Sequence, residues 1–419
     1  MKATYILKTI AALLFFTSII SCTEPYQLET NTFEEAIVIE ATITNELKKQ
    51  QIKVSKTYRL EENGPTFEAG AEVYMEDDLG NQYEFTEGEN VYESTTEFQA
   101  VPGRKYQLFV TTANGSEYVS TKETLTTPTE IESLSTTVVL KGGQTGVEIG
   151  VNSYDPSGTS KYYRYEYEET SQITAPKWNP FNTILLDQPR ICASIGSSIG
   201  VFIGFETIGF EPRPRDTRVC YITKKSDELF LTTTTAFNED RVTKFPVRFI
   251  ANTDYTIAER YSIQVTQYVQ SFEAYTFYKT LKDMSGSGSL LSPNQPGFFS
   301  GNIKSATNPK EKVIGFFEVA SMSSKRIFFN FRDIFPNTHL PVYPYECTEY
   351  EFNSRNFGEP PYNEEYPCGS GGPGGALRED IRAGRKLHYK SAFPFFTMVI
   401  TPCGDCSSFA SNVVPPFWQ

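Results

Sequence analysis

From Ala36 to about Thr127 apolar and polar residues alternate with a period of two, broken at regular intervals by turn residues. Ile37-Val38-Ile39 opens the run; Ile52, Val54 and Tyr58 share one face of the next stretch, and Ala71, Val73 and Met75 share one face of another. Asp78-Leu79-Gly80-Asn81 turns the chain into Tyr83 and Phe85, and Pro102-Gly103 turns it into Tyr106, Leu108 and Val110. Asn114-Gly115, a two-residue hairpin signal, leads to Tyr118 and Val119. Successive side chains of a strand point to opposite sides of a sheet, so this alternation marks strands with one buried face. About seven such strands in about 90 residues predict an immunoglobulin- or fibronectin-like β-sandwich over residues 35–127. Thr126-Thr127-Pro128 reads as a linker.

Residues 128–419 predict a second, elaborated β-sandwich domain, so the fold class is mainly β. Val147, Ile149 and Val151 alternate, as do Tyr163, Tyr165 and Tyr167, with Arg164, Glu166 and Glu168 on the opposite face. Tyr261, Ile263, Val265 and Val269 mark another half-buried strand. Residues 173–225 are rich in Pro, Gly and Ser and read as an insertion or long loop. One helix is predicted over Ser271–Met284: Ser271 caps it, and Ala274, Phe277, Tyr278 and Leu281 form an apolar face that packs on the second sheet. Two more strands follow, Val313–Ala320 and Arg326–Phe331. The tail, residues 336–419, reads as irregular, and its apolar end, Val413-Val414-Pro415-Pro416-Phe417-Trp418, is expected to dock back on the body.

The N-terminus follows a different pattern. Lys2 and Lys8 precede or flank an apolar stretch, Thr9–Ile20, that is too short to span a bilayer, which needs roughly 20 apolar residues. Ile19-Ile20-Ser21-Cys22 resembles a lipobox, with a small residue before the cysteine that receives lipid. Residues 1–21 are therefore expected to be a lipoprotein signal peptide and Cys22 the lipidated mature N-terminus. Each buried CH₂ contributes about 0.8 kcal/mol, so several acyl chains anchor a protein without a membrane helix. Residues 22–34 are polar and acidic and read as a flexible tether.

Charge and composition narrow the chemistry. The formal net charge of −13 makes nucleic acid an unsuitable partner. Only two histidines occur, His339 and His388, which removes most His-based metal sites and leaves few acid–base groups that titrate near neutrality. Apart from Cys22 there are six cysteines, Cys192, Cys220, Cys347, Cys368, Cys403 and Cys406, an even number that implies disulfides in an exported chain. Cys192 and Cys220 flank the insertion and are expected to pair, leaving the four tail cysteines to pair among themselves.

The further motifs are weaker. Cys403-Gly404-Asp405-Cys406 suggests redox chemistry, but a reactive dithiol needs a helix N-terminus behind its first cysteine, and Ser407-Ser408-Phe409 predicts no helix. Structural zinc usually takes two closely spaced ligand pairs, and the tail offers one. Gly196-Ser197-Ser198-Ile199-Gly200 matches G-x-S-x-G without the strand–turn–helix that a nucleophile elbow requires. Glu76-Asp77-Asp78 lacks the spacing of a calcium loop and is better explained as a hairpin turn. Arg213, Arg215 and Arg218 form a small basic cluster that reads as solvated surface. No catalytic residue, cofactor or metal site is expected.

Taken in order, these features resemble a family. The lipobox at Cys22 is followed by Pro102-Gly103-x-x-Tyr106 and by an aromatic helix, Glu273-Ala274-Tyr275-x-x-Tyr278. Gly301-Asn302-Ile303 then precedes Val313-Ile314-Gly315-Phe316-Phe317, and the chain closes with Cys403-x-x-Cys406 and Pro416-Phe417-Trp418. The pattern resembles the Bacteroidota lipoprotein family called domain of unknown function 4249 (DUF4249), over nearly all of the mature chain. The resemblance implies an outer-membrane lipoprotein beside a TonB-dependent transporter β-barrel, and Glu24, close after Cys22, points to display on the cell exterior. It implies a non-enzymatic accessory subunit that helps capture or admit a ligand. Trp178, Phe181, Phe202, Phe205 and Phe210 in the insertion are the candidates to contact the partner, because aromatics supply interface anchors; the alternative is that they fill the core of the second domain. The alternatives are a structural or outer-membrane assembly role and, third, a surface hydrolase using Ser198.

Overall fold

The alternating runs form strands, and one of the last of them ties the whole body together. A computed structural model describes residues 36–58, 64–192, 201–286, 301–353, 374–392 and 395–418. In the first block Ile37–Thr44, Gln51–Lys56, Tyr92–Ser94, Gln82–Glu87, Glu72–Asp77, Lys105–Thr111 and Glu117–Ser120 are hydrogen-bonded in that spatial order. Their inward residues, among them Ile39, Ile43, Ile52, Val54, Val73, Met75 and Leu108, are buried to within 1%. Tyr106 lies in the same core, and its hydroxyl oxygen accepts the Val101 N–H at 2.9 Å.

The 18-residue strand Val313–Asn330 pairs parallel with Ile37–Thr44 through Ala320 and antiparallel with Arg260–Gln270 from Ser321 onward. Val313, Phe317 and Val319 complete the core of the first block, while Phe329 belongs to the core of the second. The expected linker is pinned at the crossing. The Thr126 hydroxyl donates to the Val269 carbonyl at 2.7 Å and accepts the Ser321 N–H at 2.8 Å, and the Ser321 hydroxyl donates to the Thr127 carbonyl.

The second block has two layers. Val219–Lys225, Tyr162–Thr174, Arg260–Gln270 and Val313–Asn330 form one. Ile131–Lys141, Gln144–Asp155 and Asp240–Ala251 form the other. Val147, Ile149 and Val151 pack against Tyr163, Tyr165, Tyr261, Ile263 and Val265 between them. The fold is thus mainly β with a few helices.

Three expectations need correction. Residues 173–225 are not a loop: Phe181–Cys192 and Val201–Pro212 form an antiparallel hairpin, and Val219–Lys225 pairs with Tyr162–Thr174. The Pro and Gly that suggested a loop sit opposite each other in the ribbon, Pro189 against Gly204. Both strands of a two-stranded ribbon are edges, where a missing N–H is tolerated. Nor is the tail irregular throughout, for Tyr350–Asn353, Phe395–Ile400 and Lys386–Ala392 form a three-stranded sheet beside a helix, Gly374–Arg382. The helix is therefore not alone, although its predicted segment is helical over Phe272–Gly286, with the Ala274 N–H donating to the Ser271 hydroxyl at 3.1 Å.

The third correction concerns the cysteines. Cys220 bonds Cys406, not Cys192, and Cys347 bonds Cys403. Cys220 lies on the edge strand Val219–Lys225, and that edge is where the segment around Ser411 docks: Tyr221 and Ser411 exchange backbone hydrogen bonds at 2.7 and 3.1 Å. Spatial neighbourhood, not sequence proximity, decides the pairing. Cys368 lies outside the described residues, as does the side chain of Cys192. Cys403 and Cys406 are bound to different partners, so the pair is a double staple and not a dithiol. The chain end docks beside it, with the Trp418 ring 4.9 Å from Tyr221 and 5.6 Å from Phe328.

Candidate functional site

The sequence places Arg164 between Tyr163 and Tyr165 on a strand whose tyrosines enter the core, so Arg164 must point to the other face of the sheet. That face is polar along much of its length, and helix Phe272–Gly286 lies over it. Ala274 and Phe277 are buried against Phe316 of the long strand. The helix covers only part of the sheet. Beside it opens a groove of about 1450 Å³. Val38, Glu40 and Thr42 of the first strand, Gln51 and Lys53 of the second, and Ile314 and Phe316 form its floor, with Phe277, Tyr278, Leu281, Lys282 and Asp283 along the helix wall. Val91, beside Tyr92–Ser94, and Asp227, Glu228 and Leu229, after Val219–Lys225, complete the lining.

Arg164 is 4% exposed at the inner end of this groove. Its guanidinium donates to Glu318 Oε2 at 3.1 Å and to Glu166 Oε1, and it lies over the rings of Tyr268 and Tyr278, 4.2 and 4.8 Å from their centroids. The second oxygen of Glu318 accepts from Gln270 Nε2 at 3.0 Å. A guanidinium held between two aromatic faces and two carboxylates gains both cation–π and charge-assisted hydrogen bonds. Burial alone would lower the proton affinity of Arg164, but Tyr278, Glu318 and Glu166 outweigh it and hold the cation. Burial pushes the Glu318 carboxyl up, against the opposing pull of Arg164 and Gln270. Burial likewise pushes the Tyr278 hydroxyl up to about 12.

The groove thus combines apolar side chains, among them Val38, Ile314, Phe316, Phe277 and Leu281, with charges of both signs, Glu40, Asp227, Glu228 and Asp283 against Lys53 and Lys282. Such a lining is suited to recognition by shape and by charge. The tyrosine alternation already placed Arg164 and Glu166 on this face. The helix packs on the second sheet as expected; what the sequence did not signal is that it does so on the face that carries Arg164 and Glu166.

The residues expected to contact a partner do not line this groove. Trp178 packs in a cluster with Ile173, Cys220, Cys406 and Tyr343, around a disulfide. Phe181 and Phe210 share one face of the hairpin, because Phe210 stands opposite Thr183. They are 44% and 45% exposed, and the Phe210 ring also lies 4.4 Å from that of His388 in the tail sheet. Phe202 and Phe205 lie on strand Val201–Pro212, with their side chains outside the described set. Cys22 and Ser198 are outside the described residues. Arg213, expected to be solvated, is instead buried and ion-paired at 3.2 Å with Asp405 in the Cys403–Cys406 loop, whereas Arg215 and Arg218 are exposed. Asp77 is consumed by its turn: it accepts the Leu79 and Asn81 N–H groups and pairs with Arg104.

The remaining motifs also find structural work. Asn302 Nδ2 donates to the Phe317 carbonyl and its Oδ1 accepts the Phe317 N–H, both at 2.8 Å, which replaces a strand partner on the long strand. A Cβ on Gly301 would stand 1.6 Å from the Gly315 carbonyl oxygen, so the two glycines permit the approach. Gly315 itself has φ +140°. Phe417 lies against the Arg326 guanidinium at 3.5 Å. No curated protein matches the chain. A family profile, however, aligns with residues 23–326, well over half of its length, and on that match the chain belongs to the domain of unknown function 4249 family, DUF4249.

Proposed function

We propose that this chain is a lipid-anchored outer-membrane protein, tethered through Cys22 and facing the cell exterior, that acts as a non-enzymatic accessory subunit of a TonB-dependent transporter. The observation that carries the reading is the N-terminal sequence, where Lys2 and Lys8, a short apolar run and Ile19-Ile20-Ser21-Cys22 follow in the order of a lipoprotein signal. Family membership supports the setting through the resemblance described above. The groove beside the helix supports a role in holding a ligand or a partner segment, since its lining is suited to recognition. The first block is read as immunoglobulin-like, and the Tyr106–Val101 hydrogen bond, a tyrosine-corner arrangement, supports that reading. Sandwich ends and loops commonly carry recognition. The strongly acidic chain argues against nucleic acid as a partner.

Affinity purification from gently solubilised membranes tests the proposal. A transporter barrel is expected to copurify, and whole-cell protease is expected to cleave the chain. A chain that emerges alone under several detergents and resists shaving would sink the proposal in favour of a periplasm-facing structural role. Replacing Cys22 with Ala should release the chain from the outer membrane, and unchanged fractionation would remove the anchor.

A further inference from the structure

Sheet edges are normally defended, because an open row of backbone N–H and C=O groups is a template for another strand. Two long edges of this protein are defended. Asp240–Ala251 carries Pro246, two register shifts and Lys244 at φ +47°. Val219–Lys225 is covered by Ser411 through two backbone hydrogen bonds. The outer strand of the smaller sheet, Ile131–Lys141, is different. It pairs with Gln144–Asp155 on one side, and among the described residues no strand pairs with the other. Ser323 and Lys325 reach only its first two residues, where the Ile131 N–H donates to the Ser323 hydroxyl and Lys325 Nζ donates to the Glu132 carbonyl.

From Ser133 to Leu140 the sequence SLSTTVVL contains no charge, proline or glycine, and its pairing runs without interruption. Leu134, Thr136, Val138 and Leu140 stand opposite Val151, Ile149, Val147 and Thr145, so they belong to the face that forms the core. Yet Val138 is 50% and Leu140 73% exposed, because the strand overhangs that core.

We propose that Ile131–Lys141 is a self-association edge, along which two copies of this chain pair antiparallel about a two-fold axis near Thr136 and join their three-stranded sheets into one. The strand is self-complementary in this direction only. Antiparallel pairing brings the Glu132 end of one copy to the Lys141 end of the other, while parallel pairing would set like ends together. A two-fold axis through the sheet keeps the core faces of both copies on one side, so Leu134 meets the partner's Val138 and covers the overhang. An interface of this kind is isologous and closes at two copies, which avoids a growing fibre. The net charge of −13 on each copy opposes association, so added salt should strengthen it.

Sedimentation of the full-length chain in detergent, with charge-swapped variants, tests this. The natural chain is expected to dimerise, more tightly at higher ionic strength. Thr136→Lys and Thr136→Glu each place like charges opposite themselves at the axis and should weaken the dimer roughly fivefold or more. An equimolar mixture of the two should associate again, which a folding defect would not produce. Thr136→Cys, a small uncharged replacement, should give a covalent dimer under mild oxidation. A chain that stays monomeric at all concentrations with no Thr136→Cys cross-link, or a dimer indifferent to both charge variants, overturns the proposal. So does a monomer that loses a different bound protein on Thr136→Lys, which would make the edge a site for a foreign strand.

Discussion

Asn302 stands where a strand should be, and removing its amide should therefore damage the protein far more than a surface asparagine would. Its side chain satisfies both the N–H and the C=O of Phe317, and it also donates to Glu123 at 2.9 Å. Phe317 is fully buried, so in Asn302→Ala its two backbone groups lose their partner away from solvent. Leaving one buried polar group unsatisfied costs about 1–3 kcal/mol, so the variant should lose about 2–5 kcal/mol. Asn302→Asp keeps the acceptor for the Phe317 N–H but loses the donor and sets a charge beside Glu123, so it should fall at least as far. Urea unfolding of the full chain, followed by tryptophan fluorescence and by circular dichroism, reads the change as a lower midpoint. The two probes also report whether the blocks still unfold together, since Phe317 lies on the strand shared by both cores. A loss below about 1 kcal/mol in Asn302→Ala would refute the reasoning, because it would mean that water or a local shift satisfies Phe317 as well as the amide does.

Glu318→Leu should destabilise by about 3–5 kcal/mol by stranding the Arg164 cation, while Arg164→Leu combined with Glu318→Leu should recover most of that loss; a double-mutant cycle in urea without coupling would contradict the pairing. Asp77 is held below the usual carboxylate range because its hydrogen bonds with Asn81 and Arg104 outweigh the effect of burial. Its stabilisation is therefore present above the unfolded value of about 4 and lost as pH falls below it, so Asp77→Asn should flatten the acid limb of a stability–pH curve. Under mild reduction followed by alkylation and peptide mapping, Cys347 and Cys403 should be labelled before Cys220 and Cys406, since Cys347 is the half-exposed member of the four; simultaneous labelling would show that access does not decide the order.

Local alternation made the strands of the first block legible, because one buried face per strand is written in every second residue. The helix was legible for the same reason, from Ala274 and Phe277 at helical spacing. Partnership was not. Ile37–Thr44 pairs with Val313–Ala320, and nothing within either segment names the other. Hairpin Phe181–Pro212 is not legible in the sequence because Pro and Gly weaken strands in sheet interiors but are tolerated in a ribbon whose strands are both edges. Cys220 was assigned to its sequence neighbour, whereas docking of the tail at Tyr221 brings Cys406 to it. Of the groove, the sequence showed that Arg164 and Glu166 oppose the tyrosines and that the helix has an apolar face. It could not show that the two would be laid together over strands from both ends of the chain.

Three devices meet on strand Val313–Asn330, and together they bear on what the groove can be. Asn302 binds it at Phe317, Thr126 binds it at Ser321, and Arg164 binds it at Glu318. These residues lie within five positions of one another, at the point where the strand passes from one core to the other. The groove floor uses Ile314 and Phe316 of this same strand, and its helix wall is fixed through Phe277 on Phe316 and Tyr278 over Arg164. A wall anchored in this way has little freedom to close over a ligand, so binding there would rest on a preformed shape and would forgo the ordering cost of a mobile lid. The family-like motifs then take on a common meaning: Gly301-Asn302, Gly315, Tyr278 and the paired cysteines hold surfaces in place, while Glu40, Lys53, Asp227, Glu228, Lys282 and Asp283 give the groove its charges. Under the proposed role, ligand choice would accordingly be set by these charges, while the motif residues hold the groove in place.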